Sequence, residues 1–539
     1  MQYLYAPLLA IGITVALVPL LTRIAGALGM VDWPDTRKVH SQPIPRVGGI
    51  AIAVGLLSAM LLRGEMEPRL GAYCAGLIVL LVFGVLDDRF SLSPLWKVAG
   101  QVLAASIVMY FGEIAITAVR GEVDHTVAPW LAVAMTLMFV VGATNAINLA
   151  DGLDGLAGGI ALLCLSGLAL LALASSSAFV MLAALSAGGA VIGFLRFNTH
   201  PARVFMGDAG SQVLGFTAAV LSLSVVREYP YSAALGLLLL GVPIIDMLIV
   251  MAGRMADRRS PFRADRTHVH HRLLELGFAQ DEAVTLLCSA QAAMLVLAWK
   301  MRFASDLLIM LVFAAIATSA VTLLRVARSH GWHWREGSGS VADSSWIRRS
   351  VKLVRGRGNV RWSETTVAVS IALYVSLVAV RAEPAPLSVR VLSAGAGAVL
   401  IALVLSHASG RVGRWAEQAG LYLGALTAVF VDASSAAPIA PVLASAVFGA
   451  LVLAIVVRLW FSVERRFSIT PLDLLVIVVG LALPGLTASL FGTNALGWAV
   501  VKALLLLYGI EAVSTGSPGR RRIVTWSLAA FMLVVTFRT

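Results

Sequence analysis

Charged residues are scarce in this chain. Asp, Glu, Lys and Arg make up 13% of its 539 residues, hydrophobic residues make up 59%, and the mean hydropathy is +0.89. So little polar surface would not cover a water-soluble globule of this size, which places the chain in a bilayer. Cysteine is rarer still. Cys74, Cys164 and Cys288 all fall inside apolar stretches, which excludes a disulfide framework or a CxxC metal clip and leaves packing as their expected role. No HExxH zinc pattern occurs, and no glycine-rich stretch continues into the Gly-Lys-Ser/Thr of a nucleotide loop. Acids number 29 against 41 Lys and Arg, a net charge of +12, yet no soluble basic face gathers that charge, so nucleic acid is not an expected partner.

What the chain has instead is apolar segments of the roughly 17 to 25 residues that cross hydrocarbon as a helix. The expected spans are 3–28, 47–63, 70–86, 95–111, 129–147, 157–175, 178–195, 209–226, 233–251, 283–299 and 304–325, then 366–381, 388–406, 416–432, 441–457, 472–490, 494–511 and 522–537. The expected fold class is all-α: a polytopic integral membrane protein with about eleven helices over residues 1–325, a basic linker over 326–364 and about seven helices over 365–539. The first segment is too long, and its first cation, Arg23, comes too late, for a cleaved signal peptide; it reads as a retained helix.

Odd-numbered connections carry Arg37, Lys38, Arg46, Arg89, Arg196, Arg203, Arg254 and the Arg-rich stretches that follow, whereas even ones are offset by acids such as Glu65, Glu113 and Glu228. The positive-inside rule turns the odd connections toward the cytoplasm, and Arg411, Arg414, Arg458 and Arg520 keep the same parity. In the linker, Trp346, Ser350, Val351 and Val354 share a helical face opposite Arg348, Arg349 and Arg355, the pattern of a short helix on anionic headgroups, with plain disorder as the alternative.

Reactive residue types gather in five stretches, each after an odd-numbered span. Asp32 to Gly49 holds Arg37, Lys38 and Arg46, suited to phosphate oxygens, although topology alone would also make this loop basic. Asp87-Asp88 ends span three, where negative charge is disfavoured by the helix dipole; like charges this close call for a cation, and Mg²⁺ prefers oxygen ligands. Between spans five and six, Asn145, Asn148, Asp151 and Asp154 come three apart, followed by Gly155, Gly158 and Gly159. This connection has no Lys or Arg on a side that should be basic, so something beyond topology demands it, ordinary Asp-Gly turns being the alternative. Arg196 to Ser211 places Asp208 just ahead of span eight, where metal ligation and an N-cap role are both open. Ser260 to Leu273 holds His268, His270, His271, Arg266 and Arg272, a set able to hold a diphosphate or donate protons.

Together, Asp87-Asp88, Asn145 to Gly159, Phe205-Met206-Gly207-Asp208 and His268-Val269-His270-His271-Arg272 resemble the polyprenyl-phosphate N-acetylhexosamine-1-phosphate transferases, the MraY/WecA superfamily, over residues 1 to about 325 and in that family's order. The resemblance implies a Mg²⁺-dependent phosphoglycosyltransferase, with Mn²⁺ as a substitute ion. Such an enzyme moves an N-acetylhexosamine 1-phosphate from a UDP-sugar to a polyprenyl phosphate such as undecaprenyl phosphate, releases UMP and starts a cell-envelope polysaccharide. It implies a bacterial plasma membrane, with the active site facing the cytoplasm.

By position, the resemblance makes Asp208 the metal-binding aspartate, Asp87 the base acting on the lipid phosphate and Asp88 its support, and it makes Asn148, Asp151 and Asp154 nucleotide and metal contacts. Asp208, Asp88 and Asp151 are then the metal set. Phe205 would stack on uracil, and Lys97 and Arg46 would reach phosphates. His268, His270, His271 and Arg272 would engage the donor, His271 among the catalytic groups. Direct attack is favoured, and a covalent aspartyl intermediate stays open. The Arg-Lys-Val-His and His-Val-His-His-Arg forms tip the donor toward UDP-N-acetylglucosamine or a related simple aminosugar.

Two features stand outside this pattern. The second membrane block lacks comparable acidic or histidine clusters, and its expected role is accessory or partner-docking; a homodimer mate or other envelope-synthesis membrane proteins are the expected protein partners of the chain. Asp246, in span nine, has no obvious partner, so structural and functional roles are equally open. A transporter and a lipid-diphosphate phosphatase are the rival readings.

Overall fold

Helix dominates the computed structural model, which describes residues 2–34, 42–63, 67–121, 125–256, 268–330, 332, 361–405, 411–435, 441–461, 495–514 and 518–538. The first helices are α1 (Gln2–Leu28), α2 (Gly48–Arg63), α3 (Pro68–Phe90), α4 (Pro94–Phe111), α5 (Pro129–Ala150), α6 (Leu156–Ser175), α7 (Ala178–Asn198) and α8 (Gly207–Glu228). After them come α9 (Leu235–Leu239), α10 (Gly241–Ala256), α11 (Val269–Glu275), α12 (Gln280–Met301) and α13 (Asp306–Ser329). Two short antiparallel pairs interrupt them, β1 (Val31–Asp32) with β2 (Ile44–Pro45) and β3 (Ala118–Val119) with β4 (His125–Thr126).

Among the described residues eleven helices are long and apolar enough to cross a membrane, and Gly48–Leu62, Val389–Leu403 and Leu443–Ile455 are shorter apolar helices. The protein is an all-α polytopic membrane protein. Each expected span that falls on described residues coincides with helix to within a few residues, except the ninth. The expected span 472–490, the linker helix around Trp346, and Arg37, Lys38 and Arg266 lie outside the described residues.

The chain divides into two compact units, one of Leu9–Thr14 and Leu20–Ser345, the other of Met1–Leu8, Val15–Pro19 and Trp346–Thr539. In the first, α8 is the hub. It packs against α2, α3, α5, α6 and α7, and 94% of its most apolar stretch is buried. Small residues let the backbones meet. A Cβ on Gly84 would fall 2.7 Å from the Ala209 nitrogen, and one on Gly215 would fall 2.7 Å from the Thr144 Cα. Helices α3 and α5 are thereby held against α8 at backbone distance, and their last turns arrive beside its first. The buried hydroxyls of α8 bond back one turn, Thr217 to Val213 O and Ser222 to Ala218 O, both 2.7 Å, so they carry no unpaired donor into the interior.

The expected span 233–251 is a broken helix. Pro243 has no N–H, and its ring crowds the carbonyl four residues back, that of Leu239, so continuous helix cannot pass through this point. The chain turns at Leu240 and restarts as α10. Neighbours satisfy the freed groups: the Gln291 side-chain amide on α12 donates to Leu239 O at 2.8 Å and its oxygen accepts the Val242 N–H at 3.1 Å, while the Cys164 thiol donates to Leu239 O at 2.7 Å. Cys164 therefore does more than the packing expected of it.

The second unit contains α14 (Arg361–Arg381), α15 (Leu387–Leu405), α16 (Arg411–Ser434), α17 (Pro441–Phe461), α18 (Ala495–Ser514) and α19 (Pro518–Phe537). It contains a buried polar cluster that its sequence did not advertise. Lys502 on α18 donates to Asp432 on α16 at 2.6 Å, and the Tyr374 hydroxyl on α14 donates to the same oxygen at 3.0 Å.

Candidate active site

The site is built at the start of α8. Gly207 has a φ of +70°, which lets the chain turn sharply into the helix, and a Cβ there would run into the Asp88 carboxylate. Asp88, reaching across from α3, accepts the Asp208 N–H at 2.9 Å and the Ala209 N–H at 3.0 Å, one on each oxygen. These are two of the amides that a helix start leaves unpaired. The capping role open for Asp208 in the sequence is thus filled by Asp88, and the Asp208 side chain is released for other partners.

Those partners come from two helices. Asp208 Oδ1 accepts the Asn148 side-chain amide from α5 at 2.7 Å and the Lys97 ammonium from α4 at 3.3 Å. Lys97 also pairs with Asp87 at the end of α3. Asp87 Oδ1 in turn accepts the Leu92 N–H at 2.8 Å, where the chain leaves α3 through Ser91 at a φ of +52°. Asn148 donates as well to Ser211 Oγ at 2.8 Å. Asp87, Lys97, Asn148 and Asp208, which lie far apart in sequence, form one connected group.

The turn from α5 to α6 closes one side. Asp154 accepts the Ala202 N–H at 3.1 Å and bonds His200 Nδ1 at 2.7 Å, while Asn198 accepts the Gly155 N–H at 3.0 Å and donates to Val204 O at 2.9 Å. The segment leading to Phe205 is held to this turn by these contacts. The first loop is laced to the same segment through its backbone, Phe205 N–H to Pro45 O at 2.8 Å, Gly48 N–H to Phe205 O at 3.0 Å and Gly49 N–H to Met206 O at 2.8 Å. Arg46 pairs with Asp32 beside β1. Burial, reinforced by Asp208, Asp88 and Asp154, pushes the Asp151 carboxyl up to about 7, with Arg46 opposing.

The histidine segment joins from the other side. Helix α11 begins at Val269, and Asp246 of α10 accepts the Val269 N–H at 2.7 Å and bonds His268 Nδ1 at 2.9 Å. The His268 and His270 rings stack at 5.6 Å, and His271 lies 4.3 Å from His270. The His270 ring lies on the Cα of Gly152, where any Cβ would collide with it. Burial, then the neighbouring His271, lowers His270 to about 3, so its ring is neutral at working pH. Any positive charge this segment offers a diphosphate comes from its other members.

Among the described residues no three His, Cys, Asp or Glu side chains are arranged to hold an ion by themselves. Mg²⁺ commonly takes one or two carboxylates and completes its shell with water and substrate phosphates. Asp208 and Asp151 are a partial set of that kind, and the repulsion from neighbouring carboxylates, which adds to burial in raising Asp151, is what a dication would relieve. Asp88 has already given both oxygens to the α8 amides. The candidate set missed His200, Ser211, Gln101 and Gln212. Gln101 and Gln212 do carry a signal, since each stands four residues after a site residue, Lys97 and Asp208, on the same helix face.

Glycosyl transferase family 4 matches residues 70–226, the stretch that supplies all of this group except the first loop with Asp32 and Arg46, Asp246 and the histidine segment. The chain is 35% identical over 280 residues to a probable undecaprenyl-phosphate N-acetylglucosaminyl 1-phosphate transferase of Bacillus subtilis, covering 50% of this chain and 77% of that protein. It is 33% identical to an undecaprenyl-phosphate alpha-N-acetylglucosaminyl 1-phosphate transferase of Yersinia pestis, covering 50% and 76%. A decaprenyl-phosphate N-acetylglucosaminephosphotransferase of Mycobacterium tuberculosis is 32% identical, covering 49% and 74%. With three quarters of each relative spanned, and with the acids and amides of α3, α4 and α5 drawn to the start of α8, the chain belongs to the family of polyprenyl-phosphate N-acetylhexosamine-1-phosphate transferases.

Proposed function

We propose that the protein transfers N-acetylglucosamine 1-phosphate from UDP-N-acetylglucosamine to a polyprenyl phosphate, releasing UMP, with Mg²⁺ bound, at the cytoplasmic face of a bacterial plasma membrane. The observation that carries this reading is the Lys97 ammonium shared between Asp87 and Asp208 beside the start of α8. The printed names of the relatives support the sugar and the lipid, and the parity of arginines along the chain supports the sidedness.

Asp87, fixed by the Leu92 amide and Lys97, takes the proton of the lipid phosphate. A phosphate oxygen then attacks the sugar-bearing phosphorus, that phosphorus breaks its bond to the bridging oxygen, and the electron pair leaves with UMP. Lys97 stays beside the phosphates as their charge shifts, and Asn148 holds Asp208 in place. Mg²⁺ on Asp208 and Asp151 would supply charge neutralisation on the diphosphate. His270 seats the histidine segment on the turn at Gly152, from which His268, His271 and Arg272 engage the donor, and Phe205 offers an aromatic face to uracil.

A transporter would use broken helices to bind its cargo. The Leu239 carbonyl and Val242 amide at the break between α9 and α10 already bond Gln291 and Cys164. The test is to supply the purified protein with UDP-N-acetylglucosamine, Mg²⁺ and polyprenyl phosphate. UMP and lipid-diphosphate N-acetylglucosamine are expected in equal amounts. Free sugar phosphate, or turnover without the lipid, would overturn transfer in favour of hydrolysis.

A further inference from the structure

Asp246 is an acid on a helix of the membrane block, 5% exposed, and none of the chemistry above uses it. An acid in such a place is expensive and is kept for a reason. Its two oxygens have distinct tasks: Oδ1 accepts the Val269 N–H at 2.7 Å, an amide that the first turn of α11 would otherwise leave unpaired, and Oδ2 takes His268 Nδ1 at 2.9 Å. The backbone of His268 is extended, with φ −61° and ψ 149°, so the chain enters α11 at this bond pair. From there the geometry propagates by contact, His268 stacked on His270, and His270 resting on Gly152 in the turn that carries Asp151 and Asp154. The design repeats that of Asp88, which holds the start of α8 from α3 through two amides.

We infer that Asp246 is a positioning residue for the transfer reaction: it fixes the start of α11 so that the histidine segment seats on the Asp151–Asp154 turn. This rests on the proposed function and adds to it a residue remote from the reacting atoms. With Nδ1 donating to Asp246, His268 has only Nε2 left for other partners, so Asp246 also sets which ring nitrogen faces outward. The break before α10 gives the device its footing, because α10 starts from a point held by Gln291 rather than from the end of a long flexible span.

Asp246→Asn keeps the size and one oxygen for the Val269 amide, and weakens the tie to His268. It is expected to lower kcat/KM for UDP-N-acetylglucosamine on the order of tenfold, the scale seen when the orienting partner of a functional histidine is removed, with the KM for polyprenyl phosphate unchanged to about twofold. In a His268→Ala background the same change should add nothing, because it acts through that ring. Losses that multiply in the double variant, or donor kinetics equal to wild type, would overturn the inference. Where Asp246→Asn does not accumulate, Val269→Pro serves. It deletes the other donor while placing proline where helices accept it, after an extended residue. Donor-selective loss is again expected, and wild-type donor kinetics again overturns. Wild-type protein that releases no UMP would take down the proposed function and this inference together, whereas an active wild type matched by both variants takes down this inference alone.

Discussion

Asp88 gives both oxygens to the Asp208 and Ala209 amides, and Asp208 keeps its own carboxylate for Lys97 and Asn148. Two aspartates that look interchangeable in the sequence therefore fail differently when altered. Asp88→Asn offers one acceptor where two are used, and it should lower stability by about 0.5–2 kcal/mol, the range for losing a helix cap, read as a lower unfolding midpoint in detergent. Asp208→Asn should melt close to wild type yet lose turnover, and Asp87→Asn should lower kcat by on the order of 10²-fold or more if it takes the proton. A fully active Asp208→Asn enzyme would remove that residue from the chemistry. The sequence made Asp87 and Asp88 visible because paired acids at a helix end run against its dipole, and it left Asp208 open between a cap and a metal ligand. It could not divide the labour, since which carboxylate meets which amide is fixed by the close approach of α3 to α8.

Asp151 adds a prediction about pH. Its folded carboxyl sits near 7 against 3.8 for the free residue, so the folded state holds a proton that the unfolded chain has released across that interval. Its contribution to stability is present below about 3.8 and is lost as pH rises through 7. An ion bound there needs the deprotonated form. Added Mg²⁺ should thus raise the unfolding temperature more at pH 8 than at pH 6, and Asp151→Asn should erase most of that difference. An equal rise at both pH values would disconnect Asp151 from the ion.

The elements locate the site through a second polar layer that holds three helices in register. Gln101 on α4 donates to Asn145 of α5 at 3.2 Å and to Gln212 of α8 at 3.3 Å, and Asn145 donates back to Gln101 at 2.7 Å. Each amide stands three or four residues from a site residue on its own helix: Lys97 with Gln101, Asn148 with Asn145, Asp208 with Gln212. The layer therefore lies one turn from the reactive group and fixes the mutual height of the three helices. Gln101→Leu would strip partners from two amides in a dry interior, a loss of about 1–3 kcal/mol in unfolding measurements, with kcat falling as Lys97 shifts. An unchanged midpoint would show that the layer carries no load. Helix positions were legible because long apolar runs announce themselves, and prolines at 68, 94 and 129 mark starts. The break at Leu240 was not, because apolar content continues across it and only the backbone consequence of Pro243 reveals it.

For the molecule as a whole, half of this chain lies outside each alignment, and the second unit keeps its own buried charge. The Asp432 side chain is 3% exposed and has the Lys502 ammonium and the Tyr374 hydroxyl on one oxygen, with Phe448 of α17 packed edge-on to Tyr374 at 5.0 Å. Four helices thus meet at one ion pair. Removing a single partner from such a pair leaves the other charge stranded, so Lys502→Met should destabilise by about 3–5 kcal/mol. Removing both charges spares that penalty, since apolar replacements of a buried pair are often neutral or better. The Asp432→Leu, Lys502→Met double variant still orphans the Tyr374 hydroxyl, and adding Tyr374→Phe should bring the unfolding midpoint back toward wild type. The site residues named here all fall between Asp32 and Arg272, so turnover per folded molecule should be the same in all of these variants. A Lys502→Met protein that melts like wild type would mean that the pair does not hold these helices. A triple variant that regains its midpoint but loses turnover would mean that the charges themselves, and not only the packing around them, serve the transfer reaction.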